Sequence, residues 1–338
     1  MHNNPHREPV KTPGQKLYLS AVAPQAHAAH ITAASLWLNG SNDHHGGHER
    51  GCETFTKFKP GVPWDFAVQA RGHHNTEKLG DNCKLWLEKH VLGENHFWPK
   101  RPKSQIKLDA EGVPELRLTP ASSTEIKELQ VYQSLKTSNN IARFWRDVDS
   151  VRQGNTWVAK LPVMNVDDYV FSYANIRYKN DCVLSSDFEA VIPAKLGKAV
   201  ATDKKSDLIS AGTGQWSNVG PAEGVGGVQG FRPLDNRRGT SNIQFSDPRW
   251  KAPQGSKLSF RFYCTQPQEI VLSANRRFTT DLEITAANDW QSMTLQAKEL
   301  ISHGVGLGDW SVADSIGIMP KADSDITKVI FAEFKWVE

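Results

Sequence analysis

Cysteine is scarce in this chain and never closely spaced. Four residues in 338, at positions 52, 83, 182 and 264, give no C-x-x-C, so neither a zinc ribbon nor a dithiol redox motif is expected. A Cys52–Cys83 bridge and four unpaired buried thiols are the two readings left. No run of about 18 apolar residues occurs, and a membrane partner is not expected. The opening stretch "MHNNPHREPVKTPGQ" is polar and broken by proline, without the apolar centre of a signal peptide. The charge excess is only +3, from 40 basic and 37 acidic residues. Those charges are interspersed rather than striped, which argues against a nucleic-acid partner. No period of about 20–50 residues recurs, so a repeat array is excluded.

What is present is ordinary globular material with one unusual count. Hydrophobic residues make up 38% and charged residues 23%, enough apolar surface for two or three domains. Tryptophan appears eleven times. Buried, such rings fill β-sandwich cores; exposed, they offer flat faces to sugars.

Three textures follow one another. Residues 16–98 alternate strand and helix signals. "ITAASLWLNG" is closed by Gly40, "WDFAVQA" by Gly72, and Leu79, Cys83, Trp86, Leu87 and Val91 then recur at helical spacing up to Gly93. "NHFWPKRPKSQ" reads as a linker. "PELRLTP", "IKELQVYQSL", "NTWVAKLP" and "YVFSYANIRYK" are short strands of an all-β sandwich. "IPAKLGKAVATDKKSD" reads as a second boundary, followed by a Gly-rich stretch and the strands "KLSFRFYCT", "EIVLSAN", "WQSMTLQAKEL", "SIGIMP" and "KVIFAEFKW". The expected domains are 1–100, 106–195 and 205–338.

The chemistry-bearing stretch is "LWLNGSNDHHGGHERG" (36–51). His44 and His48 are four apart, and His27 and His30 three apart, but the first pair lies in a sequence too Gly-rich for helix and no third ligand is placed. No metal or other cofactor is therefore expected. A second reading fits better. A strand ending in Gly-x-x-Asp, followed some thirty residues later by a strand ending in Gly-His, delivers an acid and a base to one edge of a parallel sheet. Asp43 in "NGSNDHHG" and His73 or His74 in "QARGHHNT" meet that pattern.

On these residues 16–100 resemble the C-terminal third of dienelactone hydrolase, acetyl xylan esterase and prolyl oligopeptidase-like α/β-hydrolases. The resemblance is closest to a bacterial subgroup with appended β domains, in which "LWLNGSNDHHG", "ARFWRDVDSVRQGNTWVAKLP" and "YVFSYANIRY" recur in order. It implies a mixed fold: an incomplete α/β-hydrolase fragment followed by two all-β sandwiches, one Ig-like and one jelly-roll-like. It also implies that Asp43 is a triad acid, that His73 or His74 is the base, and that relatives are exported. The nucleophile is missing, since no G-x-S-x-G occurs. The implied protein is the C-terminal part of a carboxylic ester hydrolase acting on polysaccharide esters, inactive alone and awaiting an upstream half. Residues 1–100 are expected to pack poorly by themselves, because two strands and one helix cannot bury their own faces.

The β regions carry a competing reading. "ARFWRDVDSVRQGNTW" groups Arg143, Trp145, Arg146 and Asp147, as a strand with ion pairs and a buried Trp would. Trp290 and Trp336 sit in apolar strands and read as core. Trp216 and Trp250, in Gly/Pro-rich surroundings, are the candidate sugar platforms. The last region resembles carbohydrate-binding jelly rolls. The alternative function is a non-catalytic carbohydrate-binding or scaffolding β-sandwich protein with a polysaccharide partner.

Overall fold

The computed structural model describes residues 12–43, 47–95, 97–121, 125–137, 139–210 and 216–338, without the side chain of Arg50. It divides into two compact units, the first ending at Thr202 and the second beginning at Asp203.

The first unit opens with two short helices, α1 (Pro13–Ala21) and α2 (Pro24–His27). Strand β1 (Ser35–Gly40), helix α3 (His48–Phe55), strand β2 (Trp64–Gln69) and helix α4 (Asn82–His90) follow. β1 and β2 pair in parallel, Ser35 opposite Trp64 and Gly40 opposite Gln69. The helical run expected up to Gly93 is broken at Gly80, whose φ is +67°. A Cβ there would fall 2.1 Å from the Asp181 carbonyl oxygen, so the chain turns sharply and the helix starts afresh at Asn82. Gly93, also left-handed at φ +72°, stands just beyond the helix end.

The rest of the first unit is antiparallel. Its strands are β3 (Lys103–Leu108), β4 (Pro114–Thr119), β5 (Ile126–Leu135), β6 (Arg146–Val148), β7 (Val151–Gln153), β8 (Thr156–Lys160), β9 (Val170–Tyr178), β10 (Val183–Ser185) and β11 (Glu189–Val191). One sheet runs β3-β4-β8-β7; the other runs β10-β9-β5-β6, with β11 also on β9. Their inner faces meet in a core of Ile106, Leu116, Leu118 and Ala159 from the first and Val131, Val170, Ala174 and Ile176 from the second.

β9 is buried along nearly its whole length, and its two faces serve different partners. Val170, Ala174, Ile176 and Tyr178 look into the sandwich. Phe171 and Tyr173 join Phe66, Val68, Phe55, Tyr132 and Trp145 in a second cluster that covers the parallel pair. The expected α/β-hydrolase fragment is therefore corrected. Parallel sheet is confined to two strands, which lean on an antiparallel sandwich instead of continuing into a doubly wound sheet. Two strands alone are marginal in water, and here the neighbouring sandwich supplies the missing cover. Residues 1–100 and 106–195 share one compact unit.

The cluster also holds an ion pair whose guanidinium is fully buried. Arg143 Nη1 donates to Glu49 Oε1 at 2.8 Å, and the guanidinium lies 4.2 Å from the Phe171 ring centre.

The second unit is a sandwich of two sheets. Its strands are β12 (Leu208–Ser210), β13 (Val219–Glu223), β14 (Gln229–Pro233), β15 (Thr240–Asn242), β16 (Lys257–Tyr263), β17 (Gln268–Ala274), β18 (Phe278–Ile284), β19 (Gln291–Leu295), β20 (Ile301–Ser302), β21 (Val305–Gly306), β22 (Ile316–Pro320) and β23 (Ile330–Val337). One sheet runs β13-β14-β23-β16-β19, with β12 on β23; the other runs β15-β22-β17-β18-β20-β21. Alternation is clean in "KLSFRFY": Leu258, Phe260 and Phe262 enter the core, and the residues between them are half-buried. The overall class is thus mostly β-sandwich with few helices. All four cysteines are free, with Cys52, Cys182 and Cys264 buried and Cys83 exposed, so the Cys52–Cys83 bridge is absent. No described helix is long and apolar enough to cross a membrane.

Candidate functional site

The turns that leave β1 and β2 are bound to each other. Ser41 N–H donates to the Gln69 carbonyl and Asn42 N–H to the Gly72 carbonyl, both at 2.9 Å. Only glycine fits at position 40, because a Cβ would come within 2.1 Å of the Gly72 oxygen. Asn42 Nδ2 then donates to the carbonyls of Asn140, Ile141 and Arg143, fastening this corner to the segment before β6.

Asp43 and His74 meet at this corner, with Nδ1 and Oδ1 3.3 Å apart; the carboxylate is buried and the imidazole is exposed. His73 turns away, placing Nδ1 2.9 Å from the Asn42 carbonyl oxygen. The sequence pattern thus brings Asp43 together with His74 and leaves His73 apart. The esterase expectation is corrected nevertheless: the sheet that would carry an oxyanion loop and a nucleophile elbow is replaced by antiparallel sandwich. With it go the ester substrate and the upstream hydrolase half.

Metal binding receives no support from geometry. Among the described residues no group of three His, Cys, Asp or Glu could hold an ion. His48 is enclosed by Phe66, Tyr173 and Phe188, where burial lowers its pKa to about 3. His27 contacts the Ala21 carbonyl through Nε2. His44 lies outside the described residues.

The tryptophan platforms are redistributed. Trp216 is 6% exposed and lies against Phe231 and Phe334, both at 4.8 Å, so it is core and not a sugar platform. Trp250 is half-buried, with Arg249 5.3 Å from its ring centre. Trp336 is core as expected, whereas Trp290 sits just before β19, half-buried against Tyr263 at 5.9 Å.

The feature that sequence reasoning missed is a polar groove in the first unit. One cavity of about 330 Å³ is lined by Gln69, Arg71, Lys78, Tyr132, Asn175 and Arg177, among others. A second, of about 690 Å³, extends past Lys127, Asp149, Arg152 and Trp157. Glu128, Gln130 and Asp147 line both, so the two cavities adjoin along β5 and β6. Tyr132 hydroxyl donates to Gln130 Oε1 and Gln130 Nε2 donates to Glu128. Burial first, then nearby Asp147, pushes the Tyr132 phenol up to about 12, so it remains a neutral donor. At the far end the Trp157 indole N–H has no hydrogen-bond partner among the described residues. The groove's residues come from β2, β5, β6, β7, β8, β9 and β10 and the turns between them, so no single motif could announce it.

No family model matches the chain, and no curated protein matches it. Among solved structures it is similar to BhCBM56, at 12% identity over 29% of this chain and 96% of that one, TM-score 0.22. It is also similar to an exo-β-1,3-galactanase from Phanerochaete chrysosporium, at 11% identity over 69% of this chain and 56% of that one, TM-score 0.22. A third is the SGBP-B protein of the Bacteroides ovatus mixed-linkage glucan utilization locus, at 8% identity over 66% and 70%, TM-score 0.17. Scores this low carry no argument about function.

Proposed function

We propose that the chain is a non-catalytic carbohydrate-binding protein whose first sandwich is Ig-like and whose second is jelly-roll-like. The two adjoining polar cavities of the first unit are its binding groove, and their shared lining of Glu128, Gln130 and Asp147 is the observation that carries the reading. A pyranose ring presents hydroxyls all round its rim, each both donor and acceptor. It is best held by amides, carboxylates and guanidinium groups converging on one cleft, with an aromatic surface for its C–H face. Gln130, Glu128, Asp147 and Arg71 supply the first, and the half-buried Trp157 the second. The groove's two joined compartments suit a chain of sugars better than a single one.

The test is affinity electrophoresis and calorimetry with soluble polysaccharides. β-1,3-Galactan and mixed-linkage glucan are the first probes, two soluble uncharged polysaccharides with different backbones. Binding weakened by about tenfold or more in Trp157→Ala and Gln130→Ala supports the reading. A folded chain that retains its affinity in both variants, or binds no polysaccharide at all, overturns it.

A further inference from the structure

The two compartments of the groove differ in charge. Arg71, Lys78 and Arg177 line the smaller one against Glu128 and Asp147. Lys127 and Arg152 line the larger against Glu128, Asp147 and Asp149. Cations outnumber carboxylates at one end and are outnumbered at the other.

Arg71 is the unusual member. Its backbone is left-handed, with φ +59°, a region that residues other than Gly and Asn seldom occupy and that is costly without compensating contacts. The contacts are there. Its N–H donates to Ser41 Oγ at 2.8 Å, and its Nε donates to the buried Trp145 carbonyl at 2.8 Å. The guanidinium lies 5.9 Å from the Tyr132 ring centre. Nη2 is paired with Asp147, whose side chain is 64% exposed. Among the described residues these side-chain bonds use two of the five N–H donors that a guanidinium carries. The plane is therefore fixed from below by the Trp145 carbonyl, while its outer partner is a solvent-exposed carboxylate that can swing away.

We propose that Arg71 is the anchor of a subsite for the carboxylate of a uronic acid residue in the bound glycan. This inference rests on the groove reading above and adds the ligand's charge to it. A guanidinium fork matches the two oxygens of a carboxylate in one plane. In the complex, the sugar carboxylate takes the place of Asp147 on Arg71. Arg177 is itself paired with Asp181 and Glu128, at 3.6 and 3.9 Å, and donates to the Lys78 carbonyl, so the recognition falls to Arg71.

The experiment compares oligogalacturonate with its carboxyl-reduced form, the same chain bearing CH₂OH in place of each carboxylate, and with a sulfated form of the reduced chain. Calorimetry on the full chain is expected to show the acidic ligand binding about tenfold or more tighter than the reduced one. Arg71→Gly, which also relieves the left-handed backbone, and Arg71→Lys, which keeps the charge without the fork, should both bring that preference to within about twofold. Binding of the reduced chain is expected to weaken less than that of the acidic chain, because a hydroxyl in place of the carboxylate loses only a neutral hydrogen bond to the guanidinium. Asp147→Asn removes the competing carboxylate at an exposed position and should raise affinity for the acidic chain severalfold, giving a second reading if Arg71 variants fold poorly. Equal binding of acidic and reduced chains overturns the subsite and leaves the groove standing; binding of neither removes both. Preference for the sulfated chain, or a preference that survives Arg71→Gly, also overturns the proposal.

Discussion

Val68 in the parallel pair donates its backbone N–H to the Ser185 hydroxyl at 2.8 Å, and Asn175 Nδ2 donates to the Val68 carbonyl at 2.9 Å. The outer edge of β2 is thus closed by side chains of β10 and β9, not by another strand. Ser185 Oγ donates in turn to Asn175 Oδ1, so the three groups form a fully satisfied buried network. Ser185→Ala leaves the Val68 N–H buried and unpaired, which costs about 1–3 kcal/mol. Urea unfolding followed by fluorescence should show that loss, and limited proteolysis should release residues 12–95 faster than in the parent. A variant as stable and as resistant as the parent would show that the edge is held some other way.

A buried carboxyl and a half-buried one set a pH dependence. Burial drives Asp65 up to about 6, against the opposing hydrogen bond from Trp98. Burial likewise drives Glu189 up to about 7. Both folded-state values lie above the unfolded ones, so the folded protein binds protons more tightly. The stabilisation from these groups is complete below the ordinary carboxylate range and declines as pH rises toward 7. The melting temperature should therefore fall by several degrees between pH 5 and pH 8, and Glu189→Gln, fixed in a neutral form, should flatten that slope. A slope unchanged in Glu189→Gln assigns the effect elsewhere.

How much of this was legible in the sequence depends on what each stretch touches. Period-two alternation is plain in "KLSFRFY", which has one core face and one outward face, whereas "KVIFAEFKW" was readable as a strand from its apolar run, with Ile330, Phe331 and Ala332 buried in succession. The corner of Asp43 and His74 was also readable, since Gly40 and Gly72 must approach closely wherever two such turns meet. β9 was readable as a strand but not as the central one, because burial on both faces shows only in what lies beyond it. The hydrolase resemblance misled for a related reason. Strand–turn–acid and strand–turn–histidine phrases are local, whereas the partner of β2's outer edge sits more than a hundred residues away in Ser185. The groove was illegible because its lining is spread over Gln69 to Arg177.

Arg143 and Glu49 make a stringent test of packing in the first unit. The guanidinium is fully buried, 2.8 Å from its carboxylate and between Phe171 and Phe188. Arg143→Ala takes the buried guanidinium away from Glu49 and should cost about 3–5 kcal/mol, whereas replacing both by apolar residues of similar volume, Arg143→Met with Glu49→Leu, should recover much of that loss. Denaturation midpoints of the two single variants and the double variant close the cycle. A double variant as unstable as Arg143→Ala would mean that the pair's hydrogen bonds cannot be replaced by packing.

The second unit offers a sharp contrast between two tryptophans that sequence context groups together. Trp216 contributes a ring to the stack of Phe231 and Phe334 and shields it almost completely. Removing it opens a cavity the size of an indole in the middle of the sandwich, at about 3–5 kcal/mol. Trp250 stays half-buried, and its backbone carbonyl, not its ring, accepts the Trp336 indole N–H at 2.8 Å. That bond survives truncation of the side chain, so Trp250→Ala should cost about 1 kcal/mol or less. Calorimetric unfolding of the two variants should therefore lower the second unit's transition steeply for Trp216→Ala and only slightly for Trp250→Ala. Neither should alter polysaccharide affinity if the sugar lies in the groove of the first unit. A loss of affinity in Trp250→Ala without a loss of stability would move the binding surface to the second sandwich.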